Sequence, residues 1–128
     1  MRTQARFPEI PEKAGHYESF YLKLTQPGGG RAVWIRHTVH KRPGEQPTCA
    51  LWFVLFDADA AGPRATKRQF GADELSAPPG SYIRVADASL GDGSANGRIE
   101  TPALDASWDL NFSDDHEPFH HLPRDFLP

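Results

Sequence analysis

Cysteine occurs once in this chain, which excludes an internal disulfide and any cysteine-based metal cluster. The single thiol, Cys49, falls in an apolar run and reads as a small buried hydrophobe, not a reactive nucleophile. No stretch approaches the roughly 18 consecutive apolar residues of a membrane-spanning helix, and the opening MRTQARFPEI lacks the apolar centre of a secretory leader. A cytoplasmic location is the resulting expectation. A positive excess is missing as well: 14 Lys+Arg stand against 17 Asp+Glu, and no basic stripe interleaved with aromatics runs along the chain. Nucleic acid is therefore not an expected partner. Also absent are the nucleophile elbow G-x-S-x-G, the phosphate-cradling G-x-x-x-x-G-K-[ST], and a G-x-G-x-x-G opening a helix, so no cofactor is expected.

Helical periodicity is equally scarce, with no more than a turn suggested near residues 73–75. What the chain does have is alternation. Residues 17–25, 31–41 and 48–57 read as three strands of a meander, joined by reversals rich in Pro and Gly at 26–30 and 42–47. Weaker strands are expected over 64–70, 82–87 and 97–101, and a clear one over 104–112. There Leu104, Ala106, Trp108, Leu110 and Phe112 alternate with polar residues. Residues 90–96 read as a polar loop. The chain thus predicts an N-terminal arm (1–15), an antiparallel β-domain (16–113) and a Pro/His-rich linker (114–128) towards a missing C-terminal domain. Seven strands suit an all-β antiparallel meander curling into a barrel or half-barrel, one strand short of the roughly eight that enclose a small ligand.

Pairing Thr25 with Arg31, and Lys41 with Thr48, sets the register of the central hairpins. Arg36 then lies opposite both Phe20 and Phe53, with Glu18 diagonal to it. His37 joins Val33, Ile35 and Val39 on the other side, next to Ser19 and Trp52. Both faces read as apolar, with Trp34 on one and Trp52 on the other, so one of them calls for a cover: a C-terminal domain, a second subunit or a bulky ligand.

The segments ESFYLKLT, WIRHTVHKRPG and LWFVLFD, closing with SWDLNF and a Pro-containing HLP, resemble the N-terminal half of a lipocalin-like group that includes hydroxyneurosporene synthase (a carotenoid hydratase) and tocopherol cyclase-like proteins. The resemblance covers about residues 15–128. It implies a lipocalin-like barrel and an apolar, isoprenoid-type ligand, with any hydratase or cyclase chemistry completed by a second β-domain. No catalytic acid of that group maps onto a position of this sequence.

The candidate ligand-binding residues are Glu18, Tyr21, Trp34, Arg36, His37 and Trp52. Arg36 is either an ion-paired residue that fixes register or a polar anchor for the head of an apolar ligand. His37 is either a satisfied core histidine or an acid–base group near neutral pH. Tyr17 and Tyr21 could orient a ligand or simply pack with their hydroxyls at the rim. The run from Asp114 to His121 offers His116, His120 and His121 as weak metal candidates, but Pro118 disturbs the helical spacing and a solvated linker explains it as well. A structural or protein-interaction domain without a ligand is the alternative from another class, and a metal-assisted hydrolase a third.

Overall fold

A computed structural model describes residues 4–112; the linker at 114–128, with His116, His120 and His121, lies outside them. Among the described residues all regular structure beyond two short 3-10 turns is β. Strands β1 (His16–Thr25), β2 (Arg31–Lys41), β3 (Thr48–Asp57) and β4 (Arg64–Phe70) form one antiparallel sheet in chain order. Strands β5 (Leu75–Ser76), β6 (Ser81–Val85), β7 (Ala88–Gly91), β8 (Ser94–Glu100) and β9 (Asp105–Asn111) form a second, also in chain order. Ladder pairing stops between β4 and β5, so the all-β antiparallel meander is observed as two open sheets; a closed barrel is not found.

The two sheets share one core. Ile35, Val39, Cys49, Leu51 and Phe53 of the first meet Ile83, Val85, Ala88, Leu90, Ala95 and Ile99 of the second. Phe20 stacks on Tyr82 at 6.0 Å and Phe53 on Trp108 at 5.5 Å between ring centroids. Gly97 explains how Trp108 lies flat across β8: a Cβ there would stand 2.6 Å from the Ala88 Cβ and 2.8 Å from the Trp108 ring.

The first four strands occur where alternation places them, but the register of β2 differs from expectation. The backbone closes Gln26 against Arg31, leaving Pro27 to Gly30 as a four-residue loop in which Gly28 and Gly30 take the positive φ values that glycine alone adopts easily. Thr25 consequently faces Ala32, and at the second turn His40, not Lys41, faces Thr48. Lys41 instead turns inward at the strand end, where its ammonium donates to the carbonyls of Glu12 and Ala14 in the N-terminal arm, each at 2.5 Å. The two one-residue shifts add to two residues between β1 and β3, which keeps the faces of those strands matched, and they turn β2 over as a unit.

Phe20 therefore faces His37 and Leu51, Leu22 faces Ile35 and Phe53, and Tyr21 faces Arg36 and Trp52. Trp34 and Trp52 stand on the same side, which corrects the expectation of one on each. Arg36 leaves the Phe20–Phe53 environment for the outer face, and His37 leaves Ser19 and Trp52 for the core. The expected loop at 90–96 is a further correction: Ala88 and Leu90 are buried, so the glycine-rich stretch is the edge of β7 and the start of β8.

Candidate functional site

The inner face of the first sheet is consumed by packing; its outer face is not. Direct cross-strand register places Tyr21, Arg36, Trp52 and Lys67 in one row across all four strands, alternating aromatic and cationic. The Lys67 ammonium lies 4.4 Å from the Trp52 ring centroid, and the Arg36 guanidinium lies 5.8 Å from the Tyr21 ring and 6.0 Å from that of Trp52. Cations at these distances are attracted by the negative ring face. The next row carries Lys23 opposite Trp34, with the Lys23 ammonium 5.4 Å above the indole. Phe56 meets that indole edge-on at 5.4 Å, and Trp34 remains 38% exposed.

On the other side of the central row the residues are small: Ser19, Thr38 and Ala50 lie in register, followed by Gln69. Beyond them Tyr17 packs edge-on against His40 at 6.2 Å, with Tyr17 55% exposed. A trough thus lies between two taller rows over β2 to β4, with Arg36 bridging its β1 end. It holds a cleft of about 290 Å3 floored by residues that include Thr38 and Ala50 and walled by Tyr17, His40, Trp52 and Lys67. A larger hollow of about 430 Å3 lies between the arm and the loop before β6, but its lining includes Glu9 and Asp92 and no cationic side chain.

Arg36 is held in place from β1: its Nε donates to Ser19 Oγ at 2.8 Å and its terminal nitrogen to Tyr17 Oη at 3.0 Å. The Trp52 indole N–H donates to Thr38 Oγ1 at 3.3 Å. Tyr21 Oη is inaccessible and without a partner among the described residues; desolvation raises its pKa above the ordinary phenol value, against the lowering influence of Arg36. The phenol accordingly stays protonated at neutral pH. No Asp or Glu points outward from β1 to β4 in this register, so the face is positive in a chain whose formal net charge is -3.

Of the six residues singled out from sequence, Tyr21, Trp34, Arg36 and Trp52 come together on this face. Glu18 and His37 do not. Glu18 sits on the opposite side, accepting from His16 Nε2 at 2.7 Å and from the Arg6 backbone N–H through both oxygens, at 3.1 and 3.0 Å. Its work is to fasten the arm. His37 is fully buried, its Nδ1 donating to the Phe20 carbonyl at 3.3 Å while Nε2 has no partner among the described residues. Burial lowers its pKa to about 4, against the smaller raising effect of the Phe20 carbonyl, so the imidazole is neutral. The sequence reading missed Lys67, because the cross-strand alternation that defines the row exists only once register is known.

Acid–base chemistry finds little support in these groups. The Cys49 thiol is pushed up to about 11, by burial first and then by Glu74 and Asp73, which leaves it protonated and unreactive. The His16–Glu18 pair has no serine, threonine or cysteine hydrogen-bonded to it among the described residues. No cluster of three or more His, Cys, Asp or Glu suited to a metal occurs among the described residues either, and no described helix is long and apolar enough to cross a membrane. No family model matches the chain, and neither a curated protein nor a solved structure matches it.

Proposed function

We propose that this domain is a non-catalytic recognition module that works through the outer face of the β1–β4 sheet. The carrying observation is the Tyr21–Arg36–Trp52–Lys67 row beside an open trough, on a face to which the described strands contribute no acidic side chain. Aromatic and arginine side chains are the types that concentrate binding energy at protein interfaces, because they bring large area and directional donors at modest entropy cost. The bland explanation, that the cations merely shield aromatics from water, accounts for Lys67 over Trp52. It accounts for Lys23 over Trp34 as well, but leaves the exposed Tyr17 and the part of Trp34 that remains open unexplained.

Selection from a displayed random-peptide library against the full chain tests this reading. Recovered peptides are expected to lose binding to a Trp34→Ala/Trp52→Ala double variant that retains the parent's circular dichroism. A population that binds parent and variant alike would contradict it.

A second reading keeps one specific observation in its favour. In a lipocalin-like domain forming part of a hydratase or cyclase-like protein, an apolar, isoprenoid-type molecule would sit between the sheets, which would have to part to admit it because Phe53, Trp108 and their neighbours pack there. The unpartnered His37 Nε2 and Trp108 Nε1 are the polar atoms that would meet it. A ligand held there would perturb Trp108 and His37 and leave Trp34 and Trp52 untouched.

A further inference from the structure

We propose that the trough receives an acidic polypeptide segment of a partner protein, its carboxylates meeting Arg36 and Lys67 and one of its apolar side chains filling the cleft above Ala50. This deepens the recognition-module reading and rests on it.

Charge complementarity selects the sign of the partner. The chain has more acids than bases overall, yet the outer register of β1 to β4 gathers Lys23, Arg36 and Lys67 and no Asp or Glu. Arg36 and Lys67 have no carboxylate within salt-bridge distance among the described residues. Arg36 has committed Nε and one terminal nitrogen to Ser19 and Tyr17, which fixes the plane of its fork, and a guanidinium has five N–H donors in all. Its remaining donors are aimed without further ordering, the condition under which a carboxylate gains most. Lys67 touches the Trp52 ring and keeps its ammonium donors.

Size and shape select a polypeptide over a drug-sized molecule. Pockets for small organic ligands run about 300–1,000 Å3 and enclose most of the ligand. The cleft of about 290 Å3 is at the lower end of that range and lies open on a sheet face, so it would enclose little of such a ligand; it suits one inserted side chain, with the rest of the segment running out past Gln69, because Arg36 bridges the other end to Ser19 and Tyr17. Nucleic acid fits less well. Sequence-tolerant binding of single strands relies on bare aromatic faces for base stacking. Here Lys67 already covers Trp52 and Lys23 covers Trp34, so an approaching strand would have to eject the cations it needs for its phosphates.

Fluorescence anisotropy on the full chain tests the inference, with three labelled probes: a capped peptide of one tryptophan flanked by glutamates, its lysine-flanked counterpart, and oligothymidylate. The glutamate peptide is expected to bind saturably, and to weaken severalfold when salt is raised to about 0.5 M. Charge reversal at Lys67→Glu, an exposed edge-strand position, is expected to lower its affinity about tenfold, while Lys67→Arg stays within about twofold. Arg36→Glu supplies the same loss where it folds, and Lys67→Glu carries the test where it does not. Equal binding of the lysine peptide, or indifference of the glutamate peptide to Lys67→Glu, overturns the inference. Binding of oligothymidylate alone, lost in Trp52→Ala, also overturns it while leaving the outer face as a recognition surface. Failure of all three probes, together with library peptides that ignore the Trp34→Ala/Trp52→Ala variant, brings down both.

Discussion

Acid is expected to destabilise this domain through one residue more than any other single group. His37 is neutral in the fold, with its pKa lowered from 6.5 to about 4 by burial, whereas the unfolded chain protonates it normally. The group thus favours the fold fully above pH about 6.5 and loses that contribution as pH falls towards about 4. A shift of this size corresponds to about 3 kcal/mol, a large share of the stability of a small domain. Carboxylates titrate over part of the same range, so the decisive quantity is the difference between parent and His37→Leu. Denaturant unfolding at pH 7 and near pH 4 is expected to show the parent losing about 3 kcal/mol more than the variant. Equal losses would mean that His37 is hydrated or paired, contrary to its burial.

Phe53 carries the second large effect. Its ring is 7% exposed and stacks on Trp108 at 5.5 Å and 26° between planes, which makes it a bridge between the sheets. Phe53→Ala is expected to cost about 3–5 kcal/mol, the lost transfer energy plus the cavity left where β3 and β9 meet. Trp108 then loses its stacking partner, so its emission should move towards that of a hydrated indole. The same substitution at Phe56, which packs against Trp34 on the outer face, is expected to cost much less. Thermal unfolding checks the contrast, and equal losses at the two positions would mean that the sheets are not packed through Phe53.

How far these features could be read from sequence depends on which interaction sets them. Existence and ends of β1 to β4 follow from local alternation and turn residues, and β2, β3 and β4 occupy 31–41, 48–57 and 64–70 as read. The same holds for the dry side of β9, where Ala106, Trp108 and Leu110 are half-buried between exposed neighbours. Register is a different matter, because it was decided by how many residues each turn consumes. The loop of Pro27 to Gly30 and the inward capture of Lys41 by the arm are both tertiary outcomes. A one-residue shift then moved Arg36 out and His37 in, since a strand's side chains change face together. Strand β7 was obscured by composition: Gly91, Asp92 and Gly93 read as a loop, while the burial that makes Ala88 and Leu90 a strand comes from the opposite sheet. The two greasy faces inferred from sequence become one packed face and one aromatic face ranked with cations.

The three tryptophans make the proposed recognition surface directly testable, because two lie on the outer face of the first sheet and the third between the sheets. Heteronuclear NMR of the full chain, titrated with the glutamate-flanked tryptophan peptide, reads the three indole N–H resonances of the protein separately. Shifts at Trp34 and Trp52 with Trp108 unmoved are the result expected of an outer-face module; movement of Trp108 while Trp34 and Trp52 stay fixed would contradict it.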